Sequence, residues 1–430
     1  MQVLINSYAC CPGLGSEPGM GWNWLIALAR HCECFVISEG EFRPQVEQWL
    51  VAPENKNVAQ NIHFYWLPIG GNSSEKCERI HEMCRNQGDW RFYYYYRLWQ
   101  KRVAVLAEKI IEEQAMKETP IQVLHQLNMI GFREPGYLWK VSRATGIPLV
   151  WGPTNAKDGF PMAYAKSASF RQKIFLYIKN AITRLQLSLS PRVCKMANTA
   201  SVIVAASSDA QQSIEKYWHK SSICINETGC SNPSDEDSSA NRQSNGAKEY
   251  FDILWCGRML FSKQLDIAIR AVAAANIPNM VLHVVGGGDD KPYRQLADNL
   301  RANVRWYGQI SHEEVQNMMR KMDVLLFTSV FEGTPHVVLE AIENQLPVVC
   351  HRSCGQGDVI NEHVGITCPV VNPEKSVSDF AEAIKYLYSH LDELDGMRNS
   401  CISRADELTW DKKAQQMLSE YRKLVVKRNK

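Results

Sequence analysis

Through the second half of the chain, apolar runs of strand length alternate with stretches whose apolar positions recur at helical spacing. The run at 253–256 precedes a helical pattern at 265–272, and the run at 281–285 ends in Gly286, Gly287 and Gly288 before a polar helix. A run at 304–307 stops at Gly308, the run at 323–328 leads to a helix near 337–343, and 347–350 reads as a short buried strand. Continuous apolar strands joined by helices predict a parallel sheet covered on both faces. The first half repeats the pattern with more decoration. Strands are expected at 3–5, 123–125, 148–151 and 202–205. A glycine-rich stretch, 13–21, follows the first, and Trp24, Leu25 and Leu28 mark one face of the next helix.

Between the halves, residues 231–247 are polar, contain proline and glycine, and lack apolar periodicity, as an interdomain linker would. Ala414, Met417, Tyr421 and Leu424 predict a closing helix. The expected organisation is a first α/β domain at 1–230 completed by about 410–430, and a second at 248–409. A chain of 430 residues exceeds one hydrophobic core, which agrees with two domains. Hydrophobic residues make up 45% and charged residues 22%, which excludes disordered and fibrous classes; a net charge of +2 gives no argument for nucleic acid. The start MQVLINSYACC lacks a basic segment followed by an apolar run, so no signal peptide is expected. No run approaches the roughly 18 apolar residues of a membrane span. The 14 cysteines lack zinc-site spacing and read as reduced thiols of a cytoplasmic protein.

Two clusters carry candidate chemistry. Glu332 is expected at a strand end, and Glu340 about two helical turns further on, with Gly333, Thr334 and Pro335 forming the turn between them. Carboxyl ends of parallel strands are where such sheets bind ligands. A turn opening a helix offers amides to an anion, and carboxylates there accept hydrogen bonds from hydroxyls. Directly after the strand through Leu254 come Gly257, Arg258 and Lys263. An arginine fork and a lysine point charge at that place can grip a diphosphate. Asp235-Glu236-Asp237 looks like a metal-binding Asp-x-Asp but lies in the linker, so it is read as solvated charge; no metal and no cofactor are expected.

In order and spacing, Gly257-Arg258 with Lys263, the glycines 286–288, Tyr307-Gly308, Glu332 and Glu340 with 347–349 resemble glycosyltransferase family 4 over about 110 residues. The 408–411 segment and the helix after it look like that family's closing helix. The resemblance implies the GT-B fold: two Rossmann-like parallel-sheet domains facing across a cleft, with the C-terminal helix crossing back to the first. It implies transfer from a nucleotide-diphosphate sugar with retention, metal-independent, in which the leaving diphosphate helps accept the acceptor's proton. Arg258 and Lys263 would bind the diphosphate, Glu332 the sugar and Glu340 the ribose. The first half resembles a bacterial subgroup through 15–22, 125–136 and 151–153, although Thr154-Asn155-Ala156 departs from the glycines usual there. By that likeness Gly15, Gly19 and Gly21 would bring amides to the phosphates, and His125, at a strand end facing the cleft, would contact the donor sugar or brace the leaving region. Arg133 and Glu134 would meet the acceptor or form an ordinary salt bridge. The implied acceptor is a glycan or lipid-linked saccharide of capsule, exopolysaccharide or O-antigen assembly. A sugar-nucleotide epimerase and a non-catalytic nucleotide-binding module are the alternatives.

Residues 159–208 contain Lys166, Arg171, Lys173, Lys179, Arg184, Arg192 and Lys195 and no acid, while Ile174, Ile178, Ile182, Leu185 and Leu189 share one helical face. Trp90 to Trp99 adds aromatics and cations. Such a helix either packs its apolar face on the domain core or lies on an anionic membrane surface, here the cytoplasmic face of the inner membrane.

Overall fold

A computed structural model describes residues 1–86, 88–166, 168–231 and 250–428. Of the expected linker only Ser231 is among them, and Asp235-Glu236-Asp237 lies outside the described residues.

The chain builds two sheets. The first has seven strands: β1 (Gln2–Ser7), β2 (Glu33–Ser38), β3 (Ile62–Trp66), β4 (Val123–Asn128), β5 (Leu149–Thr154), β6 (Val202–Ala205) and β7 (Ile223–Cys224), in the order β3-β2-β1-β4-β5-β6-β7. The second has six: β8 (Phe251–Cys256), β9 (Met280–Val285), β10 (Val304–Gly308), β11 (Val324–Phe327), β12 (Val348–His351) and β13 (Gly365–Cys368), in the order β10-β9-β8-β11-β12-β13. Every pairing is parallel, so both sheets are Rossmann-like as the alternating pattern predicts. In each sheet the strand order reverses beside its first strand, between β1 and β4 and between β8 and β11. Connections on either side of such a reversal leave on opposite faces, and that opens a crevice at the carboxyl ends.

The helix Trp410–Arg428 crosses back to the first sheet, where Ala414, Met417, Leu418 and Tyr421 are part of the first core. Trp410 meets Trp24 edge-on at 6.1 Å. Exchange also runs the other way. Phe160, Tyr164, Ala165 and Ala168 pack into the second core, and the Tyr164 hydroxyl lies 2.7 Å from Ser376 Oγ.

His125 corrects an expectation. It lies three residues before the end of β4, aligned with Ile5 and Val150, and is fully buried rather than facing the cleft. Its Nε2–H donates to the Gly152 carbonyl at 2.6 Å, which leaves Nδ1 to accept from the Tyr421 hydroxyl at 2.5 Å. The imidazole thus pins the closing helix to β4. Burial disfavours its charged form and lowers its pKa to about 4, and buried His351 is lowered to about 4 in the same way. Both histidines bind protons more readily when unfolded. Their contribution is full above the ordinary value near 6.5 and is lost as pH falls toward 4, at about 3 kcal/mol each. The histidines are therefore expected to lower the urea midpoint as pH falls from about 6.5 toward 4, a loss partly offset by the buried Glu17 carboxyl, which is raised to about 7 and takes up its proton in the folded state; a His125→Asn variant whose midpoint falls just as much over that range contradicts neutral burial.

Candidate active site

The second sheet gathers four predicted groups at its carboxyl edge. The segment after β8 carries Gly257 and Arg258 and turns into a short helix, Phe261–Lys263. The segment after β11 carries Glu332 and leads into the helix His336–Glu343. The two are laced together. The Trp255 indole donates to Thr328 Oγ1 at 3.1 Å, Thr328 Oγ1 donates to the Lys263 carbonyl at 2.8 Å, and Ser329 Oγ reaches the Ser262 carbonyl at 3.1 Å. This lacing sets Lys263 Nζ 2.8 Å from Glu332 Oε1, both side chains less than a fifth exposed. Ser329 Oγ donates to the same carboxylate oxygen at 2.6 Å. Cys256, at the end of β8, feels both Glu340 and Lys263; its burial pushes the thiol up to about 12, Glu340 adds to the shift and Lys263 opposes it. Lys263 and Glu332 thus meet beside this strand end, and Glu340 acts on the same Cys256. Arg258 is exposed beside them, with no side-chain hydrogen bond or ion pair among the described residues. Glu340 is half-buried and meets His312 at 3.2 Å.

Glycine makes this edge narrow. Gly286 adopts φ +135°, and a Cβ there would sit 1.9 Å from the Gly257 carbonyl oxygen. The Gly257 amide donates to Val285 at 3.0 Å and the Met259 amide to Gly287 at 2.9 Å, so the loops after β8 and β9 lie in direct backbone contact.

Of Gly333, Thr334 and Pro335, the last two offer no free amide to an anion, unlike the expectation from the sequence. Glu227, buried at the end of the first domain, accepts from the Thr334 amide at 2.5 Å and from Thr334 Oγ1 at 2.7 Å. A Cβ on Gly333 would lie 2.3 Å from the Glu227 carboxylate. Pro335 has no N–H and precedes the helix as its cap. Lys157, also from the first domain, donates to the Glu332 carbonyl and lies over the Phe331 ring at 5.7 Å. Neither Glu227 nor Lys157 carries a pattern that sequence reading could use.

The first domain's glycines divide between a helix start and a helix interior. Gly15 is the exposed cap of the helix Ser16–Ala29, and nothing would meet a Cβ there. Gly19 and Gly21 are inside that helix and buried, where a Cβ would lie 1.9 Å from the Leu14 carbonyl oxygen and 2.3 Å from that of Ala9. They let the preceding loop lie across the helix. Arg133 lines the cleft but is held by Gln186 and Thr183, each at 2.8 Å. Glu134 is buried between Arg97 and Arg192, which makes it an ion pair of the domain.

A cavity of about 540 Å³ lies between the domains, bounded by Glu17, Tyr93 and Arg133 on one side and by Phe261, Ser262 and Phe331 on the other. Glu17 Oε1 accepts from the Ile130 amide at 3.2 Å, while Oε2 is shielded and has no hydrogen-bond partner among the described residues. Burial raises this carboxyl to about 7, against the Ile130 hydrogen bond and with help from Glu227. Asn155 Oδ1, also in the wall, is likewise buried without a partner. Two oxygens without partners among the described residues thus stand just behind the wall of a pocket that is more apolar than polar. Glu17 lies within the 15–22 run, where the glycines are the stronger sequence signal.

Residues 237–407 match the family model Glycosyl transferases group 1. The chain carries a group 1 domain. That domain contains the whole Arg258–Glu340 cluster. A curated relative, lipopolysaccharide glucosyltransferase WaaG of Escherichia coli K12, is 33% identical over 127 residues, 28% of this chain and 33% of the relative. The chain spans about a third of the length of the curated relatives it matches. Among solved structures, sucrose-phosphate synthase of Thermosynechococcus elongatus aligns over 99% of both chains with a TM-score of 0.59 at 16% identity. HepE of Anabaena, in complex with UDP, aligns over 98% of this chain and 99% of its own with a TM-score of 0.57 at 15% identity. Likeness at that identity establishes the architecture, the GT-B arrangement of two facing Rossmann-like domains around the group 1 domain's crevice.

Proposed function

We propose that this chain is a metal-independent, retaining glycosyltransferase of the family 4 type, which moves a sugar from a nucleotide diphosphate to a glycan or lipid-linked saccharide. The observation that carries the reading is the Lys263–Glu332 contact at the switch-point crevice of the group 1 domain. Lys263 and the unpaired Arg258 supply positive charge for a diphosphate, and Glu332 supplies an acceptor for a sugar hydroxyl. Glu340, one strand end away, is suited to a ribose. As the sugar–oxygen bond breaks, charge grows on the diphosphate, and a cation held in place beforehand stabilises it without reorganisation. The acceptor enters the interdomain cavity, whose wall includes Glu17, Arg133 and Asn155. His125 takes no part in the chemistry; it is a positioning group for the closing helix. The UDP held by HepE supports a nucleotide donor, and the WaaG likeness supports bacterial surface-polysaccharide assembly, including capsule, exopolysaccharide or O-antigen. Cysteines that are all free agree with work in the reducing cytoplasm.

Titrating a panel of nucleotide sugars tests the reading. One donor is expected to bind and to be hydrolysed slowly without acceptor, and nuclear magnetic resonance of the fresh product should show the donor's own anomeric configuration. Failure of every nucleotide sugar to bind removes the assignment, and an inverted product removes retention.

A further inference from the structure

The helix Phe170–Leu189 is mounted with its apolar stripe facing outward. Its inward residues are Asn180, Thr183 and Leu187, with Leu176 half-buried above them. On a helix of 3.6 residues per turn these four share one side. Ile174, Ile178, Ile182, Leu185 and Leu189 share the opposite side, and all are exposed, Ile178 by 55%, Leu185 by 58% and Leu189 by 66%. Phe170, Phe175 and Tyr177 extend the same surface. The polar inward side is a fitted one: the Asn180 side chain accepts from the Phe160 amide at 2.9 Å and donates to its carbonyl at 2.8 Å, and Thr183 accepts from Arg133 at 2.8 Å. Rotating the helix to bury the isoleucines would break all three contacts, so the outward stripe is the built orientation.

Charge identifies what covers it. The helix has no acidic residue, while Lys173 flanks one margin of the stripe, Lys179 the other, and Arg171 stands at its start; Arg184, on the Lys173 side, is already paired with Asp158 at 2.6 Å. Long cationic side chains at the margins of an apolar stripe keep their heads in a headgroup layer while the stripe enters the acyl boundary. A protein partner or a second copy would need acidic residues opposite these cations, and the helix has none to offer to a copy of itself. No helix among the described residues is long and apolar enough to cross a membrane. We infer that the helix Phe170–Leu189 docks this chain on an anionic lipid bilayer, lying in the interface with Ile174, Ile178, Ile182, Leu185 and Leu189 in the lipid.

The placement has a use that rests on the transferase reading. Leu176 and Lys179 of this helix and Tyr93 of the helix Trp90–Met116 all line the interdomain cavity, and Trp90 and Tyr94 are exposed beside Tyr93. Docking therefore brings the cavity to the lipid surface, where an acceptor anchored by its lipid tail presents its saccharide.

Flotation of the full chain with vesicles, without donor or acceptor, tests the docking separately from the reaction. The chain should float with phosphatidylcholine vesicles that contain phosphatidylglycerol, hardly at all with phosphatidylcholine alone, and less as salt rises. Replacing Ile174, Ile178 and Ile182 together by serine should lower binding at least about tenfold, with the circular dichroism spectrum unchanged because all three are exposed. Leu185→Ser with Leu189→Ser is the second variant should the first precipitate. Absence of the wild type from the anionic vesicle fraction overturns the inference, as does equal binding to neutral vesicles or by the serine variants. So does a shift from dimer to monomer in the variant without any vesicle binding, which would make the face a contact between copies.

Discussion

Lys263→Ala is expected to lower sugar transfer by about a hundredfold or more while a donor analogue still binds, more weakly. Lys263 is largely buried, 2.8 Å from Glu332, and its backbone is fixed through Thr328, so its ammonium is held in place before the donor arrives. A preorganised charge of this kind helps the transition state more than the ground state, because the diphosphate gains charge as it leaves. The loss should therefore fall mainly on kcat. Arg258, exposed and without a side-chain partner among the described residues, remains to hold the diphosphate. Removing the lysine also leaves Glu332 without its cation, so part of the weakened binding will come from that carboxylate. Steady-state kinetics together with a donor titration separate the two effects; unchanged turnover removes Lys263 from the role.

Gly286→Ala is expected to destabilise the second domain by at least about 3 kcal/mol and to weaken donor binding with it. At φ +135° a side chain is strained whatever the space around it, and here the new methyl would also lie 1.9 Å from the Gly257 carbonyl oxygen. The cheapest relief is to push Gly257 aside, which moves the start of the segment that carries Arg258 and Lys263. Gly308 supplies the comparison, since its φ is +66° but nothing would meet a Cβ there. Gly308→Ala should cost only about 1 kcal/mol. Urea unfolding of both variants gives the contrast, and equal losses would show that the clash at Gly286 is not what matters.

The fold was legible because strands buried on both faces leave continuous apolar runs, and helices between them leave a different period. The second-domain site was legible for a related reason. Lys263 and Glu332 lie in the short segments that follow β8 and β11, and Glu340 in the helix after the second of these, so the topology carries all three to the same edge of the sheet. What failed depended on direction rather than on pattern. His125 is in a strand, and no pattern shows that it stops three residues short of the cleft. The stripe on Phe170–Leu189 has the same period whether it faces the core or water. The hydrogen bonds of Asn180 to Phe160 and of Arg133 to Thr183 decide between them, and those join residues 20 and 50 apart in the chain. Glu227 gave no sign at all, because its partner Thr334 is 107 positions away.

The crossing of Trp410–Arg428 into the first core has a consequence for how the molecule is made. Residues Met417, Leu418 and Tyr421 complete that core, yet the ribosome delivers them after every strand of the second sheet. The second sheet has all its strands in hand first and the first sheet waits, its β4 imidazole lacking a phenol to accept from. Cutting the chain between the two sheets would leave the earlier half open along that seam.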